Sequence, residues 1–170
     1  MVIMDIGTIM KTLTAKEYYS LEAPILFTEK DDKCNKMFGY IETCEHKYKF
    51  SWNSSIVEPI FELLDRALLG IGIDQHFCIL NPSSGVYNCW DLATPFLYMM
   101  VYERYAVVVC EINILFISLD SIKVEKEYMF SEIISDVRVE SHIMRIVFID
   151  DSESDIPIDD NNNPYVTLTN

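Results

Sequence analysis

Hydrophobic and polar positions divide the first half of the chain into two kinds of element. Between residues 37 and 52, mostly apolar or aromatic side chains recur at every second position, with charged residues between them. This period of two is typical of a half-buried antiparallel strand. Over residues 56–68, apolar side chains recur three and four positions apart, and Gly70 follows. That spacing predicts an amphipathic helix that ends near the glycine.

Strand signals dominate the middle of the chain. A turn sequence that holds a proline and a glycine separates two apolar runs, 76–80 and 86–92, which predicts a hairpin. Two runs rich in Val and Ile, 105–110 and 112–119, predict central strands. A final strand or hairpin is expected over 137–148.

Helix-start signals predict two shorter helices. Thr14 stands three residues before a glutamate and fits a capping box, so a helix is expected over 15–22. Thr94 and Pro95 resemble an N-cap followed by proline at the first helical position, which predicts a helix over 96–104. The fold class that follows is α+β: a mostly antiparallel sheet with two or three helices packed on it.

Chain length and a change of composition predict one domain with a tail. A chain of 170 residues suits a single domain. From residue 150 onward there are six acidic residues and no Lys or Arg, followed by an asparagine run and Pro164. We therefore expect a single α+β domain over 1–149 and an acidic, mobile tail over 150–170. Of the formal net charge of −14, −6 falls on the tail and −8 on the domain.

The acidic surplus restricts the class of partner. The chain has 13 Lys and Arg against 27 Asp and Glu, and its sequence pI is about 4.4. Binding to phosphate backbones needs clustered cations, so we expect no direct contact with nucleic acid and none with an acidic membrane surface. A basic protein is the natural electrostatic complement, and a small-molecule ligand is not expected.

The termini and the cysteines predict a cytoplasmic protein. No apolar run approaches the length of a membrane span. The N-terminal sequence, from Met1 to Asp5, lacks the basic and apolar regions of a signal peptide. In a reducing compartment, the five cysteines are expected to be free thiols.

Potential ligands and nucleophiles lack the spacing of known sites. His76, Cys78 and Cys89 are the best set of metal ligands, with Cys44 and His46 as a second pair, but neither set has the spacing of a closed zinc site. The tail acids do not match a calcium loop. There is no nucleophile elbow and no phosphate-binding glycine loop. The sequence therefore predicts no catalytic residue, no metal, no cofactor and no enzymatic activity.

Acidic and aromatic residues on the predicted strands and turns are the candidates for partner contact. Trp and Tyr frequently anchor protein interfaces, and carboxylates complement a basic partner. The predicted partner-binding residues are Glu42, Glu45, Trp90, Asp91, Glu103, Asp120 and Glu125.

The charge surplus, the N-terminal Met1 to Asp5 sequence, the single predicted α+β domain and the absence of a catalytic motif together resemble a known family. The chain resembles the immunity proteins of bacterial contact-dependent growth inhibition systems. The resemblance implies a cytosolic protein that binds and neutralises a cognate basic toxin domain, often a nuclease, in a tight and specific complex. It assigns no role to any single residue.

Two other functions stay open at this point. The chain could be a small hydrolase or transferase that uses scattered carboxylates and a Cys or His. It could also be an acidic adaptor or a nucleic-acid mimic, which would bind many DNA-binding proteins where an immunity protein binds one. Binding itself has two routes, contact through an acidic patch or addition of a partner strand to an open sheet edge.

Overall fold

The computed structural model describes residues 2–4, 8–29, 36–53, 56–65 and 67–158. Within these residues the chain forms one helix and fifteen strands. The helix, α1, spans Ala15–Ser20. The strands are β1 Val2–Met4, β2 Thr8–Leu13, β3 Met37–Glu42, β4 Lys47–Trp52, β5 Ile60–Asp65, β6 Leu68–Ile73, β7 His76–Leu80, β8 Tyr87–Asp91, β9 Phe96–Tyr102, β10 Tyr105–Cys110, β11 Asn113–Ser118, β12 Lys123–Met129, β13 Ile134–Glu140, β14 Ile143–Phe148 and β15 Glu153–Pro157.

The strands form four antiparallel sheets, and in each sheet the strands are neighbours in the same order as in the sequence. The first sheet contains β1–β4, the second β5–β8, the third β9–β12 and the fourth β13–β15. The chain divides into two compact units, Met1–Ala93 and Thr94–Asn170. Each unit therefore holds two consecutive sheets. Short turns join the strands within the second, third and fourth sheets, whereas residues 14–36, which include α1, connect β2 to β3 in the first.

The core of the first unit lies between the first and second sheets. Ile41, Phe50 and Trp52 from β3 and β4 belong to one buried cluster with Ile71 and Leu80 from β6 and β7. β7 is buried at all five positions, which makes it the innermost strand of the second sheet. The buried aliphatic and aromatic side chains of this cluster hold the two sheets together.

The helix and the segment after it close one edge of the first sheet. Thr14 caps α1 through a complete capping box with Glu17, as the sequence predicts. Residues 24–28 then run beside β4, where the Leu26 amide donates to Lys49 O at 2.9 Å and the Ser51 amide donates to Phe27 O at 3.2 Å. The outer backbone groups of β4 are thereby paired.

The second unit has its own core between the third and fourth sheets. Val107, Ile114 and Phe116 of β10 and β11 share a buried cluster with Met144 and Ile146 of β14. The central strands predicted at 105–110 and 112–119 are confirmed as β10 and β11. The predicted hairpin at 76–92 is likewise confirmed as β7 and β8.

The predicted α+β fold class is wrong, because two of the predicted helices are strands. Residues 56–68 contain β5 and the start of β6. The pairing register shifts between Leu63 and Asp65, so Leu64 is an extra residue in β5. Such a bulge breaks the period of two and leaves apolar residues at spacings that imitate a helix.

The second misassigned helix, 96–104, is β9 and its turn. Thr94 does not cap a helix, since its hydroxyl donates to Asn113 Oδ1 at 2.7 Å. The Glu111 amide donates to Pro95 O at 2.9 Å, which extends the ladder between β9 and β10. Pairing with β10 therefore overrides the local helix signal.

Two further boundaries differ from those predicted. The stretch 37–52 is not one strand but a hairpin, because a turn at 43–46 separates β3 from β4. The chain divides into two compact units, and the single domain predicted over 1–149 stays a prediction. Part of the expected mobile tail is strand β15, which pairs with β14 and buries Ile156. The rest of that tail, 159–170, lies outside the described residues.

Close packing around Gly39 gives a test of the first core. Gly39 of β3 lies opposite Phe50 of β4, and a Cβ added at Gly39 would come within 2.6 Å of Phe50 Cε2. We expect Gly39→Ala to lower the free energy of unfolding by about 1–3 kcal/mol, measured by chemical denaturation, because the ring must shift within a filled core. In a double-mutant cycle, Phe50→Leu should recover part of this loss. Strictly additive losses would show that the ring is not the cause.

Candidate protein-binding surface

Glu42 and Glu45 lie at the hairpin turn of the first sheet. Glu42 Oε1 is 3.3 Å from Lys47 Nζ, and the hydrogen bond from Lys47 lowers the pKa of Glu42. Glu42 also lines a cleft of about 440 Å³ together with Lys11 and Glu17. Glu45 is exposed in the turn itself. The two carboxylates are neighbours, but lysines stand beside one of them.

Trp90 and Asp91 lie at the end of β8, and both contact neighbouring side chains of the same unit. Trp90 is half-buried and stacks on Phe77 with ring centroids 6.0 Å apart. Asp91 Oδ1 lies 3.1 Å from Nδ1 of the buried His76. On the other side of that imidazole, Glu29 Oε1 is 3.3 Å from Nε2. This arrangement ties the segment before residue 30 to the second sheet.

The third sheet brings the remaining three predicted residues to one end. Glu103 and Asp120 occupy the turns after β9 and β11, and Glu125 follows at the start of β12. The Tyr105 hydroxyl donates to Glu125 Oε2 at 3.0 Å, and Arg104 Nη2 lies 3.7 Å from the same oxygen. Positive and negative side chains therefore alternate here, which weakens the selection of a basic partner.

The candidate chemistry of the second sheet does not form a nucleophilic centre among the described residues. Cys78 and Cys89 lie opposite each other on β7 and β8, with their Sγ atoms 2.7 Å apart. Burial raises the pKa of the Cys78 thiol well above its ordinary value, and the hydrogen bond with Cys89 adds to the effect. A protonated thiol is a poor nucleophile. No group of three or more His, Cys, Asp or Glu residues in the described part of the chain is arranged to hold a metal ion.

A different surface, at the outer edge of the second sheet, combines exposed apolar and acidic side chains. Its hydrophobic members include Ile56, which is 92% exposed, and Leu63, which is 46% exposed. Between residues 56 and 65 there are three acidic residues and no Lys or Arg. We call this the β5 surface, and its members are Ile56, Val57, Glu58, Ile60, Glu62, Leu63 and Asp65.

The alternation of hydrogen bonds in the second sheet determines which backbone groups of β5 face outward. At the two ends of the β7–β8 ladder, the Asn81 amide donates to Val86 O and the Leu92 amide donates to Gln75 O, both at 2.8 Å. Bonded and non-bonded pairs alternate along an antiparallel ladder, and a residue bonds through its backbone to one neighbour only. The odd-numbered residues of β7 therefore bond to β8, and the even-numbered ones bond to β6.

The same alternation continues across β6 to the edge strand. Gly72 and Gly70 of β6 are opposite Ile60 and Glu62 of β5, so these pairs exchange the backbone bonds between the two strands. The amide and carbonyl groups of the intervening residues, Phe61 and Leu63, then point away from the sheet. β5 is an edge strand, and these groups are the ones that an added strand would meet.

Glu62 adds an electrostatic preference to this edge. Partial burial raises the pKa of the Glu62 carboxyl above its ordinary value of 4.5. Among the described residues, no Lys, Arg or His nitrogen lies within ion-pair distance of it. A cation brought to this position would relieve the cost of holding the ionised carboxylate there.

The other described edge strands lack this combination. β12 carries Lys123 and Lys126 among its glutamates, and β9 carries no acidic residue. Arg145 lies 3.0 Å from Asp155 on β15 and 3.5 Å from Glu153 on the same strand. On β13, Arg138 lies 2.9 Å from Asp136. The edge strand β8 carries Asp91 and the exposed Tyr87 without a basic residue, but Asp91 contacts His76. In the described part of the chain, the β5 surface alone joins several exposed aliphatic side chains to acids with no Lys or Arg on the strand.

Sequence reasoning missed the β5 surface because it assigned these residues to a helix. In a helix, the leucines and isoleucines of 56–68 would face a core and the acids would face solvent. One signal in the sequence does favour strands. Gly70 and Gly72, at alternating positions within an apolar run, suit a strand that faces close neighbours better than a helix end.

No protein-family model matches the chain, and no curated protein matches its sequence. In the described residues, no helix has the length and apolar character that crossing a membrane requires.

The raised pKa of Glu62 gives a test of its position on the β5 surface. Because the folded-state pKa of Glu62 is raised, its ionised form costs stability, and the cost appears as pH rises through the range above 4.5. We expect Glu62→Gln to raise the free energy of unfolding at pH 7, with the gain vanishing below pH 4.5, in urea titrations at several pH values. Glu58→Gln, at an exposed carboxylate of the same surface, is the control and should change stability little. An equal gain in both variants would point to net charge as the cause.

Proposed function

We propose that this protein binds a basic protein partner by accepting one of its strands at the β5 edge, and that the partner is a cognate toxin domain that the complex neutralises. The observation that carries the proposal is the β5 surface. There, outward backbone groups, exposed apolar side chains and acidic residues occur on one edge strand.

Strand addition would use each of these features. The outward groups of Phe61 and Leu63 would form main-chain hydrogen bonds with the added strand, which supply affinity for an extended segment. The exposed side chains of Ile60 and Leu63 lie on opposite faces of β5, so side chains on the two faces of the added strand would cover them. Apolar burial and backbone pairing thus supply the tight binding that a charge surplus alone does not give.

Acidic side chains would select which strand can bind. Glu58 and Glu62 would attract Lys or Arg on the partner and accelerate association, in a manner that weakens with added salt. They would also repel the same edge of a second copy of this chain, because like charges on neighbouring strands are destabilising. The surface is therefore suited to a basic strand and resists pairing with itself.

A nuclease is a suitable partner on physical grounds. A protein that holds nucleic acid must present cations to the phosphates, so its surface is basic. An inhibitor with a net charge of −14 would be drawn to that surface before contact. The proposed partner is thus recognised first by long-range charge and then by the fit at β5.

The proposal can be tested with two charge-reversed variants of equal net charge. Glu58→Lys with Glu62→Lys changes the β5 surface, whereas Glu45→Lys with Asp120→Lys changes exposed acids at two of the three locations predicted from sequence. Lysine is tolerated at sheet edges, so the first variant should remain folded. Each variant is co-expressed with the basic proteins encoded beside its gene, and bacterial growth is measured.

We expect the unaltered chain to restore growth against one toxic neighbour. The β5 variant should lose protection, and the control should keep it. Equal loss in both variants would show that total charge, not the β5 edge, carries binding. Absence of any toxic neighbour, or failure of the unaltered chain to protect, would refute the immunity function.

A further inference from the structure

The cysteine pair of the second sheet is placed for a covalent modification that the proposed function does not require. Cys78 and Cys89 are direct cross-strand partners on β7 and β8. Their neighbours two positions away, His76 and Asp91, form the next pair on the same face of the sheet. Each cysteine therefore lies in a ladder whose register is set by several other pairs.

The hydrogen-bond alternation places the two cysteines in a non-hydrogen-bonded pair. Cys78 is an even-numbered residue of β7, and its backbone bonds to β6, not to β8. In such pairs the Cα atoms are about 4.5 Å apart and the side chains are at their closest. That spacing falls within the range of about 4.4–6.8 Å that disulfides require, so no backbone movement is needed to join them.

Side-chain positions agree with the backbone spacing. The two Sγ atoms lie 2.7 Å apart, closer than two non-bonded sulfur atoms would normally rest. Cys78 is buried, whereas Cys89 is only partly buried and packs at the margin of the first core. The other described cysteines, Cys44 and Cys110, have no such sulfur contact. The pair thus joins one partly exposed cysteine to one buried cysteine.

We propose that Cys78 and Cys89 form a reversible disulfide between β7 and β8 when the protein meets a low-molecular-weight disulfide such as oxidised glutathione. The thiolate of Cys89 attacks one sulfur of that reagent, forms a mixed disulfide and expels one glutathione thiolate. Cys78 then loses its proton, and its thiolate attacks Cys89 Sγ and expels the second glutathione thiolate, which takes up a proton as the intrachain bond forms. The two protein sulfurs lose two electrons, and the reagent gains them as two thiols.

Oxidation would fix the β7–β8 hairpin of the second sheet. The bond would join the centre of β7, which is buried at every position, to the edge strand β8. β8 could then separate from β7 only after the disulfide had been reduced. The nearby contact between His76 and Asp91 would be held in place by the same bond.

The test is a thiol count in glutathione buffers of increasing oxidised fraction. The folded protein is equilibrated, denatured, alkylated and analysed by mass spectrometry. We expect the number of alkylated thiols to fall from five to three, with a linked peptide pair that contains Cys78 and Cys89, and to return to five after reduction. Cys44→Ser should show the same linked pair and the same loss of two thiols.

Two further variants make the outcome decisive. Cys89→Ser should abolish the linked pair. Cys78→Ala should accumulate one glutathione on Cys89, because the resolving thiol is gone, and circular dichroism confirms that each variant is folded. A disulfide that involves Cys34 or Cys44 instead would overturn the proposal. The proposal would also be overturned if the folded protein kept five free thiols in a buffer that oxidises the denatured protein. The denatured sample is therefore the positive control for the oxidant. The count does not depend on any partner, so its failure leaves the β5 proposal standing.

Discussion

The register of β7 is the constraint on which the properties of the second sheet depend. This strand is buried at every position, and its pairs with β6 and β8 are continuous. A slip of one residue would move Cys78 and Leu80 out of the first core and would put Phe77 and Ile79 in their place. The loss of that packing opposes the slip, so burial fixes the backbone alternation of all four strands.

That alternation has consequences at both edges of the sheet. On one side it makes Cys78 and Cys89 a close, non-hydrogen-bonded pair. On the other side it turns the backbone of Phe61 and Leu63 outward. Natural sheets protect such edges with charges and bulges, and β5 has both, since its register shifts at Leu64. Here the protecting charges share one sign, which leaves the edge open to a partner of the opposite sign.

Sequence patterns predicted the elements whose local signals and tertiary environment agree. The β7–β8 hairpin has a turn sequence between two apolar runs, and β10 and β11 are rich in Val and Ile, which suit buried strands. Patterns failed where pairing overrides local preference: the bulge at Leu64 imitated helical spacing, and Thr94 imitated a helix cap. The β5 surface was missed for the same reason, because exposed edges depend on strand order, which one-dimensional periodicity does not contain. The acidic surplus is evident from the composition. Which surface carries the acidic residues depends on the order of the strands in the sheets.

The central claim is that β5 is the docking edge, and hydrogen–deuterium exchange of its amides tests it most directly. The amides of Phe61 and Leu63 face outward and should exchange rapidly in the free protein, while those of Ile60 and Glu62 are held by β6. In complex with the basic partner, we predict slow exchange at Phe61 and Leu63, with little change at the turns that carry Glu103 and Asp120. Unchanged exchange at β5, with protection appearing at those turns, would contradict the account.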